Sequence, residues 1–471
     1  MKPFTVLVAS LAAALPLAAQ PFGAAANEFR VNTYTTGEAQ MPVVAYPDTN
    51  TFVVAWTGED PTDPTLGIFA RRYDSGRPSG AQLRVNTYTD DLQYAPRIGA
   101  VPYGSAAATR FVVVWVSRSQ DGDSTGVFAQ RYGVSGPLGA EFQVNTYTTG
   151  LEYARGVALD ANGDFVIVWQ QPDADVTGIF ARRYAANGDA QGPLFRVNVF
   201  TTGAQGYPSV ARSPNGDFVV VWQSEQEFGT MTDIVGRRFS SAGAPATGDF
   251  LIEGTTTENH RRPDVAPIGV NAGFVVAWES LPGSFWQISA RRFAASGAPS
   301  TGAFRVDTVT TTSHYFPAVA ANNSGDFVVV WSANGLDGDL TGLFARRYAP
   351  DGAPEGDEFR VSSYTTSRAD NPRVAMTTAG AFTVVWRGLD LSGDSGIIGK
   401  QYCPLQGDAD GNNVLDVADV FYLINVLFAS GPAPLHPCDA NGDGNVDIAD
   451  VFYLINYLFA GGAAPVCEEV L

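Results

Sequence analysis

Twelve positions near the C-terminus have the residue types and spacing of calcium chemistry. Asp439, Asn441, Asp443, Asn445, Asp447 and Asp450 stand at positions 1, 3, 5, 7, 9 and 12 of one twelve-residue stretch. Asp408, Asp410, Asn412, Val414, Asp416 and Asp419 stand at the same positions of another. Calcium takes six to eight oxygen donors, and a loop that presents side-chain oxygens at 1, 3, 5, 9 and 12 and a backbone carbonyl at 7 supplies them. Asn445 and Val414 would give that carbonyl. Gly444 allows the sharp turn at position 6 of one stretch, whereas Asn413 in the other tolerates the left-handed conformation less well. Two loops imply two calcium ions; the competing reading is a pair of Asp-rich turns. No other constellation is visible. The three histidines, His260, His314 and His436, sit in no nucleophile or metal motif. The sequence therefore offers no catalytic residues and no site for an organic cofactor, although carboxylates from different loops could still meet in space as glycosidase acids do.

Each loop must be held by the segment C-terminal to it, and both run into nearly the same one, DVFYLIN-x-LFA, from Asp419 and from Asp450. On a helical wheel Val420, Leu423, Ile424 and Leu427 share one face, matched by Val451, Leu454, Ile455 and Leu458. Tyr422, Asn425 and Val426 point the other way, as do Tyr453, Asn456 and Tyr457. An apolar outer face of this kind wants a partner. The loops end in Asp rather than the bidentate Glu of an EF-hand, and no helix precedes them. This duplicated loop-plus-helix resembles a type I dockerin over residues 403–467. The resemblance implies an intramolecular calcium fold, with Asp408, Asp410, Asn412, Asp416 and Asp419 in one site and Asp439, Asn441, Asp443, Asp447 and Asp450 in the other. It also implies docking to a cohesin module. Positions 10 and 11, Val417-Ala418 and Ile448-Ala449, depart from the small hydroxyl residues usual there, and neither helix has a Lys or Arg. The expected partner is thus a cohesin-like module, a cell-surface protein, or the rest of this chain. The duplicated fold brings its ends together, which favours a Cys403–Cys467 disulfide and leaves Cys438 over; spacing alone does not fix connectivity.

The rest of the chain is a sevenfold repeat. A tryptophan ends an apolar run at Trp56, Trp115, Trp169, Trp222, Trp278, Trp331 and Trp386. Beyond each lies a second run such as FARRY (Phe180–Tyr184) or VGRRF (Val235–Phe239), and before each lies a copy related to FRVNTYTT, first at Phe29. A fixed period of this length means an array of one supersecondary unit. In the copy from Tyr207 to Phe250, Pro208–Ala211 is a short strand, Pro214–Asp217 a turn, Phe218–Trp222 a strand buried on both faces, and Val235–Phe239 a third strand. A fourth strand is clearest at Glu141–Asn145. Four strands, seven times, predict a mainly β fold, a seven-bladed β-propeller, followed by a small all-α domain; a β-solenoid is the alternative. FRVNT precedes the first tryptophan and none follows the last, so Phe29–Thr33 should complete the seventh blade and close the ring. The repeat resembles those of secreted bacterial surface proteins and names no substrate. Arg72, Arg131, Arg183, Arg238, Arg292 and Arg347, with Gln401 in the seventh copy, recur in the third strands. They read as pairs to carbonyls or carboxylates within the ring rather than as an anion site. The acidic loops Asp121–Asp123, Asp173–Asp175, Asp337–Asp339 and Asp390–Asp394 read as hairpin turns.

Net charge is −19 at pH 7, with ten Asp and Glu and no Lys or Arg in residues 403–471. Such a chain repels phosphate backbones, which argues against nucleic acid. Lys2, the apolar run Phe4–Ala19 and Ala24-Ala25-Ala26 read as a cleaved secretory signal, leaving no integral membrane segment. The expected organisation is a signal peptide at 1–26, a propeller at 27–402 and a dockerin-like domain at 403–471. The expected protein is secreted, extracellular and non-catalytic, with a protein or glycan ligand at one propeller mouth and a calcium-loaded tail that docks. Its rivals are a carbohydrate-active enzyme with a dockerin anchor, and a tail that only clasps the propeller.

Overall fold

Each tryptophan run folds as the second strand of an antiparallel sheet, and there are seven such sheets, six of four strands and one of five. The computed structural model describes residues 28–462 except 36, 61–62, 103–104, 226, 229–230, 255–256, 270–272, 337–339, 364–367, 391–392, 403–406, 408, 410–414, 433, 435–437, 439 and 442–444. The proposed signal, Cys403 and Cys467 lie outside the described residues. In the fourth blade the strands are Gln205–Arg212 (inner), Phe218–Glu225 (second), Thr232–Phe239 (third) and Phe250–Leu251 (outer), each paired to the next. The turn between the first two forms where expected: Gly216 takes φ +94° and its N–H donates to the Ser213 carbonyl at 2.9 Å. In the first blade the third strand, Asp63–Asp74, pairs with both Arg77–Pro78 and Leu83–Arg84, giving five strands.

Strand period explains why the tryptophan run is apolar throughout. Successive side chains point to opposite faces, and here both faces are interblade cores. Phe218, Val220 and Trp222 pack with Val166 and Val168 of the preceding blade. Val219 and Val221 pack with Phe274, Val276 and Trp278 of the following one. All seven tryptophans are at most 1% exposed. The aromatic that opens each second strand stacks on the one that ends its third strand, from Phe52–Tyr73 at 4.5 Å to Phe382–Tyr402 at 4.7 Å between ring centroids.

The outer strand is shorter than the sequence suggests. It runs Pro137–Gln143 in the second blade but spans two residues elsewhere, as at Phe195–Arg196. The asparagine of VNT takes over where the ladder stops. Asn198 Oδ1 accepts the Ile179 N–H at 2.8 Å, and its Nδ2 donates to the Phe200 carbonyl at 2.6 Å. Asn32, Asn86 and Asn145 do the same in their blades. Glu253, Asp307 and Ser362 accept the equivalent N–H in the other three.

Ring closure follows the expectation. Phe29–Arg30 pairs with Gly399 and Ile398 in the third strand of the seventh blade, and the Val31 N–H donates to the Ile397 carbonyl at 2.8 Å. Inner strands of successive blades lie side by side, and Asp370–Met376 of the seventh lies against Ala39–Ala45 of the first. Closure leaves the ring only its short outer strands as sheet edges.

Contacts divide the chain near residue 404 into two compact units. In the second, α1 (Val417–Ala429) and α2 (Ile448–Ala460) pack around Val420, Leu423, Val451 and Leu454, with Ala409, Cys438 and Ala440 completing a small core. Two details of the helical wheel are corrected. Tyr422 and Tyr453, expected to point away, lean in against this core, because a long ring can reach round the helix. Ile455, expected inside, is 37% exposed. The large apolar side chains left outside are Phe421 and Phe428 on α1 and Phe452 and Phe459 on α2, each 64–68% exposed. Members of each pair are seven residues apart and so lie along one line of their helix. Among the described residues no helix is long and apolar enough to cross a membrane.

Candidate functional site

The repeated arginines hold the ring together. The first arginine of each RR pair reaches back: Arg71, Arg182, Arg237, Arg291 and Arg346 donate to the carbonyls of Val31, Val144, Val197, Ile252 and Val306 at 2.8–3.2 Å. The second reaches forward or within its blade: Arg72 to Val134, Arg131 to Ala186 and Arg183 to Ser241 at 2.7–2.9 Å, while Arg347 pairs with Glu355 at 2.7 Å. A residue that recurs around the ring for assembly is poor evidence for a ligand. The acidic loops are used locally too. Asp123 and Asp175 accept the N–H groups of Gly150 and Gly203 at 3.0 and 2.7 Å, Asp173 pairs with Arg196, and Asp390 pairs with Arg30 at 2.8 Å. Asp337 and Asp339 lie outside the described residues. His260 accepts from Trp278 Nε1 at 3.2 Å and burial lowers its pKa to about 4. His314 lies 2.7 Å from the buried carboxylate of Asp307. His436 lies outside the described residues.

A different set of side chains meets at the N-terminal ends of the inner strands. Every inner strand carries a bulge there. In six blades the bulge is a residue followed by proline, and that residue takes a left-handed φ of 50–55°: Met41, Ala95, Tyr207, Arg262, Phe316 and Asn371. Such a conformation strains any non-glycine residue. All seven bulges line one cavity of about 460 Å³ in the middle of the ring. Position by position, the residue after the proline is Val43, Arg97, Ser209, Asp264, Ala318 and Arg373. In the third blade Arg155 stands in place of the proline and Gly156 follows it. Arg97, Arg155 and Arg373 therefore reach the cavity from three blades. Each keeps some surface toward the cavity while protein surrounds it on the other sides. Burial lowers the pKa of all three; for Arg97, repulsion from Arg373 and Arg155 lowers it further and Asp264 partly offsets this. Among the described lining residues Asp264 is the one carboxylate. It accepts Ser209 Oγ at 2.9 Å and the Val319 N–H at 3.0 Å. The cavity at the opposite mouth, about 280 Å³, is lined largely by valine and alanine. Sequence reasoning passed over the three arginines because it looked for what recurs; their signal was departure from the repeat.

In the tail the structure places six of the twelve expected ligand positions. Asp416 and Asp447 are the N-caps of α1 and α2, each with Oδ1 accepting the N–H of Ala418 or Ala449 at 2.6 and 2.7 Å. Three residues on, Asp419 and Asp450 close capping boxes and are fully buried, at 0% exposure. Asp419 accepts the N–H groups of Ala409 and Asp416 at 2.8 and 2.9 Å. Asp450 accepts those of Asn441 and Asp447 at 3.2 and 2.8 Å. One carboxylate thus ties the helix start back to the loop start. Asp408, Asp410, Asn412, Val414, Asp439 and Asp443 lie outside the described residues. Among the described residues no three His, Cys, Asp or Glu form a metal-sized group. Those that are described, Asp416, Asp419, Asn441, Asn445, Asp447 and Asp450, carry hard oxygen donors, which fit calcium by type.

Fold and tail together define a seven-bladed β-propeller followed by a duplicated loop–helix domain. Residues 406–459 match the family model described as the dockerin type I domain. Type I dockerins bind calcium and imply a cohesin partner, and proteins that carry them are typically extracellular. No curated protein sequence matches the chain. Among solved structures it is similar to a protein of unknown function from Dyadobacter fermentans, with 10% identity over 80% of this chain and 98% of that one, at a TM-score of 0.45. It is similar to the Penicillium chrysogenum α-L-arabinanase complexed with arabinobiose, with 12% identity over 80% and 98%, at 0.43. It is also similar to the β-propeller domain of the trilobed protease from Pyrococcus furiosus, with 7% identity over 77% and 94%, at 0.43. Likenesses this distant assign no activity.

Proposed function

We propose that this chain is a secreted, non-catalytic binding protein whose calcium-loaded tail docks to a cohesin-like module and whose propeller carries a ligand at one mouth. Residues 1–26 would be the signal, 27–402 the propeller and 403–471 the dockerin. The observation that carries the reading is the pair of fully buried carboxylates, Asp419 and Asp450, at matching ends of the two loops. Buried charge of this kind is paired or coordinates a metal. Two ions would be held, one by Asp408, Asp410, Asn412, Asp416, Asp419 and the Val414 carbonyl. Asp439, Asn441, Asp443, Asp447, Asp450 and the Asn445 carbonyl would hold the other. Calcium would neutralise acids that otherwise repel, so that metal binding stabilises the helix pair. Phe421, Phe428, Phe452 and Phe459 would then present apolar surface to the partner.

Calorimetry on the full-length protein tests the metal: two calcium binding events are expected, and no heat of binding would overturn the reading. Capture on an immobilised type I cohesin tests the docking. It should require calcium and be lost with chelator. Calcium binding without capture would make the tail a stabilising clasp instead.

A further inference from the structure

We propose that the arginine-lined mouth of the propeller is a binding site for a saccharide bearing a carboxylate, a uronate unit, gripped by Arg97, Arg155 and Arg373. This deepens the reading of the propeller as a binding unit and rests on it.

The seven blades are their own control. At the position of Arg97 and Arg373 the other blades have Val43, Gly156, Ser209, Asp264 and Ala318, and at that of Arg155 the other six have proline, so the blade itself requires arginine at neither. The three exceptions converge on one cavity, in a chain whose net charge is −19. Gathering like charges in a desolvated place costs stability. The acceptors they find do little to offset it. Arg97 donates to the backbone carbonyls of Arg155 and Pro96 at 3.0 and 2.8 Å, and Arg373 to that of Pro372 at 2.9 Å. Arg155 has no hydrogen-bond acceptor for its buried Nε among the described residues. The nearest acid, Asp264, is already held by Ser209 and Val319. The fourth arginine at this mouth, Arg262, is different: Glu279 pairs with it at 3.2 Å. The three guanidiniums, only partly offset by Asp264 and the tyrosine rings, are thus arranged for an anion that arrives from outside.

The choice of anion follows from shape. A planar guanidinium fork matches a carboxylate in two parallel hydrogen bonds. Beside the forks stand two aromatic rings, each with one face under a guanidinium: Tyr207, whose centroid lies 4.6 Å from the Arg155 guanidinium carbon and which is 39% exposed, and Phe316, 4.6 Å from that of Arg262. A pyranose ring has a C–H face that such rings can cover, and a uronate carries its carboxylate at the ring edge. An acidic peptide side chain would fill the forks and leave the aromatic faces unused. The cavity volume of about 460 Å³ falls in the range of small-ligand sites, about 300–1,000 Å³.

The test is calorimetry on the full-length, calcium-loaded protein with four probes: tetragalacturonate, the neutral tetragalactose, a tetraglutamate peptide, and inorganic phosphate. Tetragalacturonate alone should bind measurably. Arg373→Met should weaken it by about tenfold or more, the loss expected for one charge-assisted contact, and Arg373→Lys should fall between. Arg155→Pro, which restores the residue of the sibling blades, should weaken it comparably. Melting temperature and calcium heats, which report folding separately, should be unchanged or raised in these variants. Equal binding of tetragalactose would overturn the role of charge and leave a neutral-glycan propeller. Equal binding of tetraglutamate or phosphate would replace the uronate by an acidic peptide or a bare anion. Binding of none, with cohesin capture intact, would sink the proposal and leave the docking reading standing.

Discussion

The propeller and the tail are both built by duplication, yet repetition means opposite things in them. In the ring, what recurs is assembly: the tryptophan buried in all seven blades, the RR pair of five that ties neighbours, and the asparagine that ends the ladder in four. Function there is to be sought where one blade departs from its siblings, at Arg97, Arg155 and Arg373. In the tail, what recurs twice is the candidate chemistry itself, Asp416 with Asp419 and Asp447 with Asp450. A ring of seven blades buries a large core without help. Two thirteen-residue helices are marginal alone in water, and the calcium proposed for the loops would supply what their small core does not.

The largest effect tests the self-sufficiency of the ring. Deleting residues 27–36 removes the closing strand and leaves Gly399 and Ile398 without their partners. The propeller transition should fall by well over 10 °C in calorimetry. An unchanged melting temperature would mean that closure contributes nothing and that the ring is held by blade packing alone.

Dependence of the tail on metal comes next. Asp450→Ala removes a buried carboxylate and orphans two amides, at roughly 3–5 kcal/mol for two charge-assisted hydrogen bonds. One of two calcium events should disappear, helix content of the tail should drop in circular dichroism, and the propeller transition should stay where it is. A helix signal indifferent to calcium would break the contrast between the regions.

A smaller effect sits inside the ring, at the copy where Glu253 replaces asparagine. Burial raises the Glu253 pKa to about 9, and the neighbouring Asp233 adds to it. A raised pKa means that the folded state holds the proton more tightly than the unfolded chain, whose carboxyl titrates near 4.5. Its contribution is therefore fully present below about pH 4.5 and is lost as pH rises toward 9. Glu253→Gln, which matches the protonated form, should flatten the fall in melting temperature over that window and raise stability at pH 8–9. An unchanged pH profile would show that Glu253 ionises freely where it sits.

These contrasts also explain how much could be read from the chain alone. Blade number, the doubly buried second strand and closure by Phe29–Arg30 were legible because each rests on a pattern stated seven times. The loop–helix tail was legible because one loop spacing and one helix motif are written twice. The two-residue outer strand was not, since Asn198 replaces backbone pairing with a side chain and propensity does not register that. Nor were Tyr422 and Tyr453: a wheel places Cα positions, whereas ring length decides what reaches a small core. The arginine cavity stayed hidden because its members come from blades two, three and seven, and only the closed ring brings them together.

The smallest effect separates the two copies of the tail from each other. Both helices end in a left-handed residue whose N–H donates to an asparagine carbonyl, Ser430 to Asn425 in α1 and Gly461 to Asn456 in α2. Glycine enters this region at little cost, whereas a residue with a Cβ is disfavoured by about 1 kcal/mol. Ser430 bears that cost at φ 55°, and its counterpart Gly461 at φ 69° does not. The first copy also has Asn413 where the second has Gly444. Both differences favour the second half. Ser430→Gly should therefore stabilise the calcium-loaded tail by about 1 kcal/mol in chemical denaturation, and should leave the propeller untouched. The reverse change, Gly461→Ser, should cost a similar amount. If the two substitutions shift stability by the same sign, the C-caps are not what distinguishes the copies, and the difference must lie in the loops.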